Sequence, residues 1–92
     1  MHTKISRIAR EYVLFHEGLG FTVKGRIVEC INTESQLRYQ WDISHHYRPS
    51  EAAATVYYPS SRSAATVEEA ESLLLMYMRR FTNLNVTPND YY

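Results

Sequence analysis

The sequence has one cysteine, no apolar run longer than "LLLMYM" at 73–78, and no excess of either charge. Each shortage removes a class of protein. Cys30 alone cannot close an intramolecular disulfide, so the fold needs no oxidising compartment. The apolar run is far short of the ~20 residues that cross a bilayer. The opening "MHTKISRIAR" lacks the unbroken apolar core of a secretory leader, so a cytoplasmic, non-membrane protein is expected. Ten basic residues against ten acidic ones exclude both a DNA mimic by bulk charge and a histone-like polycation.

Catalytic and metal signatures are equally sparse. His45 and His46 with Cys30 and His16 offer metal-ligating atoms, but neighbours on a strand point to opposite faces. No two-residue-spaced cysteine pair or His-x3-His accompanies them. Cys30 has no base placed near it by any motif. Glu68, Glu69 and Glu71 crowd a helix start, where capping and the helix dipole explain them. "EGLGF" at 17–21 lacks phosphate-loop spacing and precedes a strand. The expectation is a protein that is not an enzyme, with no cofactor, metal or small-molecule ligand.

What is present is core-forming material. The 92 residues are 45% hydrophobic with twelve aromatics, eight of them Tyr. That suits a single small domain over 1–92, in which a chain of this size buries roughly 60–65% of its unfolded surface. Ile5, Ile8, Ala9, Tyr12 and His16 recur at helical spacing and predict a first helix over 5–16. The competing reading pairs "YVLFH" at 12–16 with "FTVKG" as a hairpin across Gly18 and Gly20. Phe21, Val23, Gly25 and Ile27 share one face of a strand, with Gly25 marking a bulge or a close backbone approach.

"NTESQ" at 32–36 reads as a turn. Leu37, Tyr39, Trp41 and Ile43 alternate with Arg38, Gln40, Asp42 and Ser44 as a second strand, ended by Pro49. "EAAATVYYP" supplies a third strand near 54–58, and "SSRSAA" is loop. Thr66 with Glu69 forms a capping box ahead of a helix whose buried stripe is Val67, Ala70, Leu73, Leu74, Tyr77 and Phe81. Residues 82–92 read as a loose polar tail. The sum is an α+β fold in α-β-β-β-α order. Its antiparallel sheet has three strands, or four if 12–16 pair, with helix packed on one face.

That arrangement leaves a sheet face carrying Thr22, Lys24, Arg26, Arg38, Gln40, Asp42 and Ser44. Three cations against one acid, with Arg48 and Arg62 nearby, suit phosphates or acidic protein patches as well as plain solubility. On the last helix Met76 lies opposite the buried stripe beside Leu75, Arg79 and Arg80, a composition that suits a protein interface. The candidate partner-binding residues are therefore Lys24, Arg26, Arg38, Arg48, Met76 and Arg79. Pairing of two copies through a bare sheet edge is a further reading.

The element order resembles the double-stranded RNA-binding domain, a family that grips phosphates with a basic cluster at the start of its last helix. Here that place reads "ATVEEAESLL", whose glutamates repel phosphate. The runs "FTVKGRIVEC", "LRYQWDIS" and "EEAESLLLMYMRRF", with the chain length, resemble the small bacteriophage anti-CRISPR proteins that act on type I-F systems. That resemblance implies a stoichiometric inhibitor working in the host bacterial cytoplasm. Its partner would be the multi-subunit RNA-guided surveillance complex, with the guide RNA among the surfaces within reach, and its action steric occlusion of target DNA. It transfers no site residue.

Overall fold

The computed structural model describes residues 5–31, 38–59 and 61–92, so the "NTESQ" turn at 32–36 and Leu37 lie outside the described residues. Strands β1 (Ser6–Leu14), β2 (Val23–Cys30) and β3 (Tyr39–Ile43) are followed by the short strands β4 (His45–His46) and β5 (Ser63–Ala64). Helix α1 (Val67–Arg79) and strand β6 (Thr87–Pro88) complete the order. The main sheet is antiparallel with strand order β1-β2-β3-β5, and β4 pairs with β6 in a separate two-stranded ladder. The fold is thus α+β with a four-stranded antiparallel sheet and, among the described residues, one helix.

Three expectations are corrected. Residues 5–16 are not a helix: Ser6–Leu14 is a strand forming a hairpin with β2, so the α-β-β-β-α order does not hold. The apolar residues that suggested a helix do not share one face. The register slips between Ile8 and Arg10, so the residues on one face run 8, 11, 13 and those on the other 7, 10, 12, 14. Ile8 and Tyr12, neighbours in the expected helical stripe, therefore lie on opposite faces of the strand.

The third strand is also displaced. Residues 54–58 make one bridge, Tyr57 to Tyr47, whereas the ladder neighbour of β3 is Ser63–Ala64, inside the stretch read as loop. The Tyr57 carbonyl is occupied instead by the Tyr77 hydroxyl at 2.5 Å. Finally, residues 82–92 are tied to the body. β6 pairs with β4, the Asn89 side-chain amide donates to the Ile43 carbonyl at 2.9 Å, and Thr82 Oγ1 donates to the Arg48 carbonyl at 2.5 Å.

The helix begins where its cap predicts. Thr66 is extended and its hydroxyl accepts from the Glu69 amide at 3.1 Å; Glu68 and Glu69 occupy the first turn and Arg79 the last, each favoured by the helix dipole. Its stripe packs on one face of β2 and β3, where Val23, Ile27, Trp41 and Ile43 meet Ala70, Leu74, Tyr77 and Met78. An aromatic cluster fills the end of this layer: Tyr47 lies 4.8 Å from Tyr77 and 4.5 Å from Phe81, ring centre to ring centre. The Tyr47 hydroxyl donates to the Tyr77 carbonyl at 3.0 Å, and burial pushes its ionisation up to about 12. A phenol with its proton engaged in an apolar layer behaves as core.

Gly25 is the close approach of the two alternatives, since the bulge lies in β1. A Cβ there would stand 3.0 Å from Leu74 Cδ1 and 3.1 Å from Met78 Sδ, both in buried side chains. The missing side chain lets α1 settle onto β2.

Candidate partner-binding surface

The side of the sheet away from α1 is set by strand parity. Since Val23, Ile27, Trp41 and Ile43 face the helix, the intervening Lys24, Arg26, Gln40 and Asp42 face outward. Register then shows what shares that face. Arg26 lies between Glu11 of β1 and Asp42 of β3, Lys24 lies beside Val13, and Val28 lies between Ile8 and Gln40.

The row through Arg26 is therefore not a bare line of positive charge. Arg26 Nε stands 3.6 Å from Asp42 Oδ2, too far for a hydrogen bond but within ion-pair range. Its Nη2 donates to the Tyr92 carbonyl at 3.0 Å, and the Tyr92 ring lies 4.3 Å from the guanidinium carbon, a cation–π contact. Burial raises the Tyr92 phenol above its ordinary value, against the opposing pull of Arg26. Arg62 closes the other side of Asp42 at 3.7 Å. Glu11, Arg26, Asp42 and Arg62 form an alternating ladder, three of whose members were visible as charges but not as partners. Glu11 and Tyr92 carried no local signal, because a residue's cross-sheet neighbour depends on which segments pair.

Lys24 and Arg38 are different. Both are exposed, and neither forms an ion pair among the described residues. Lys24 engages through its backbone, its amide donating to Ser44 Oγ at 2.8 Å, and the Arg38 carbonyl accepts from the Cys30 amide at 2.8 Å. β1 leaves Val13, beside Lys24, and Ile8, beside Val28, more than half exposed, and Phe15 and Phe21 are exposed around the hairpin end. The accessible part of this face is thus a mixed apolar and cationic strip over β1 and β2.

The other candidates lie elsewhere. Met76 and Arg79 are exposed on α1, on the opposite side of the sheet, and cannot share one flat contact with Lys24. Arg48 is half-buried beyond β4. Its amide donates to the Leu84 carbonyl, and its Nε is buried with no acceptor among the described residues. The structure therefore groups Lys24 with Arg26 on β2, sets Arg38 at the far end of that strand beside Cys30, and separates all three from Arg48, Met76 and Arg79.

The histidines part as adjacent strand residues must. His45 stacks on Phe21 at 4.7 Å, while His46 packs between Tyr58 at 4.8 Å and Tyr77 at 6.2 Å. Burial lowers the pKa of both, with Arg62 adding to the effect at His46. Cys30 is buried, accepting a weak hydrogen bond from Ser6 Oγ at 3.9 Å. Among the described residues no group of three or more His, Cys, Asp or Glu side chains is placed to hold a metal ion, and no helix is long and apolar enough to cross a membrane.

β1 is an edge of the sheet, but a blunted one: the bulge at Ile8–Arg10 interrupts its ladder. Arg7 pairs with Glu29, and Arg10 pairs with Glu71 of the helix, which also accepts from the Tyr12 hydroxyl at 2.8 Å. The Tyr12 and Arg10 hydrogen bonds hold the Glu71 carboxyl below its ordinary pKa. Bulges and charges of this kind discourage edge-to-edge pairing of copies. No family model, curated protein or solved structure matches this chain.

Proposed function

We propose that this chain is a non-catalytic inhibitor of the anti-CRISPR kind. It docks on a type I-F RNA-guided surveillance complex and blocks target DNA from pairing with the guide. The observation that supports this reading is the strip over β1 and β2, where exposed Val13 adjoins the cation Lys24 and exposed Ile8 lies further along the same face. Among the described residues that face carries no helix, and exposed Arg38 lies across β2 at its far end. A strip of that composition pairs its cations with phosphates or carboxylates and its aliphatic groups with protein. Overall neutrality favours obstruction over imitation of DNA.

The test mixes the protein with purified type I-F complex and follows co-elution and target-DNA binding, beside a naked nucleic acid control. Co-elution with loss of DNA binding is expected. The double variant Lys24→Glu/Arg38→Glu should keep the fold and weaken binding by about tenfold or more, since both side chains are exposed and neither has an ion pair among the described residues. Unchanged inhibition by that variant would remove this face from the reading. Autonomous grip on duplex RNA is disfavoured by the helix start, where Glu68 and Glu69 are exposed.

A further inference from the structure

Between the β4–β6 ladder and the segment leading to β5 lies a cavity of about 420 Å³. Its walls include Tyr58, Tyr91, His46, Arg62, Asp90 and Pro88. This volume is in the range of small-ligand pockets and too small for a helix or a duplex groove. Most tyrosines of the core spend their rings and hydroxyls on packing, as Tyr47 and Tyr77 do. Tyr58 and Tyr91 do not: they remain 61% and 92% exposed.

We propose that this cavity receives one unstacked base of a single-stranded nucleic acid, with the adjoining phosphate on Arg62. The inference goes beyond the inhibitor reading and does not depend on it. The exposed faces of Tyr58 and Tyr91 supply stacking surface, and contact with His46 holds the Tyr58 ring in place. His46 is 8% exposed and its ring nitrogens make no hydrogen bond among the described residues. Kept neutral by burial and by Arg62, it offers one donor and one acceptor to a base edge. Asp90 adds an acceptor for amino hydrogens. Arg62 is half-exposed and touches Asp42 only at 3.7 Å, so most of its N–H groups are free for phosphate oxygens.

Bases inside a duplex present no free ring face, so the site selects single strands. A phenylalanine side chain would stack as well, but would bring no phosphate to Arg62 and no polar edge to His46 and Asp90.

The test titrates the protein with short homopolymeric RNA strands and with an RNA duplex, following the ring resonances of tyrosine and histidine. Single strands should bind and shift His46, and the duplex should not. Tyr91→Ala should weaken single-strand binding about tenfold, whereas Tyr91→Phe keeps it. Arg62→Ala should reduce the slope of log affinity against log salt by about 0.7. Tyr91 is too exposed for its truncation to unfold the chain. Absence of single-strand binding, equal binding of duplex, or an unaltered affinity in Tyr91→Ala would each overturn the proposal. A failure to bind the surveillance complex would not touch it.

Discussion

The two faces of one sheet behave as different materials. Under α1, Val23, Ile27, Trp41 and Ile43 are all but fully buried against Leu74 and Tyr77. On the other side, Arg26, Asp42 and Arg62 hold one another in partial contact with water, with exposed Glu11 in register beside Arg26. The first face derives its stability from apolar area and shape, which tolerate no void. The second derives little from its ion pairs, because solvent screens them and long side chains lose entropy in forming them. Stability should therefore be concentrated on the covered face and partner recognition on the other.

The largest effect is expected from Leu74→Ala, which empties a fully buried site. It should cost about 2–5 kcal/mol in chemical denaturation. A loss as small as that of a surface variant would break the contrast between faces. Gly25→Ala tests shape rather than area. With Leu74 and Met78 already at 3.0 and 3.1 Å from the new methyl, overpacking should cost about 1–3 kcal/mol. A neutral result would mean that the helix can ride outward freely. Tyr47→Phe removes one buried donor from the Tyr77 carbonyl while keeping the ring. Its expected cost is about 1 kcal/mol, read from the denaturation midpoint.

A graded effect should follow acidification. Burial depresses the pKa of His45 and His46 in the folded chain, so below the ordinary histidine value the unfolded chain binds more protons. Their contribution is complete above about pH 6.5 and is lost as pH falls through the lower folded values. The melting temperature should drop between neutral pH and pH 5, and His46→Phe should flatten that slope. A slope that is unchanged in the variant would place the titration elsewhere. The smallest effect on stability belongs to Lys24→Glu, within about 0.5 kcal/mol. That near-neutrality in folding, set beside a loss of partner binding, is the sharpest form of the comparison.

Much of this was legible along the chain. The Thr66 cap, the charge order of α1 and the alternation of Val23 to Ile27 and Tyr39 to Ile43 are local periodic signals, and the structure repeats them. So is the outward projection of Lys24 and Arg26. β1 was misread because its apolar residues are split over both faces around the bulge at Ile8–Arg10, leaving no clean two-residue alternation. β5 is two residues long, too short to leave a pattern. Arg48 read as a surface cation, but residues 82–84 fold back over its backbone.

The sequence by itself determined which side chains leave the core together, because burying a face imposes a period on any strand or helix that supplies it. It did not determine which charges meet. Glu11, Tyr92 and Arg62 come from distant segments to stand beside Arg26 and Asp42, and only chain pairing in three dimensions decides that neighbourhood. The same pairing set Lys24 beside Val13 rather than beside a carboxylate, since a cation's availability depends on the strand laid next to it, and nothing in its own stretch of chain records that.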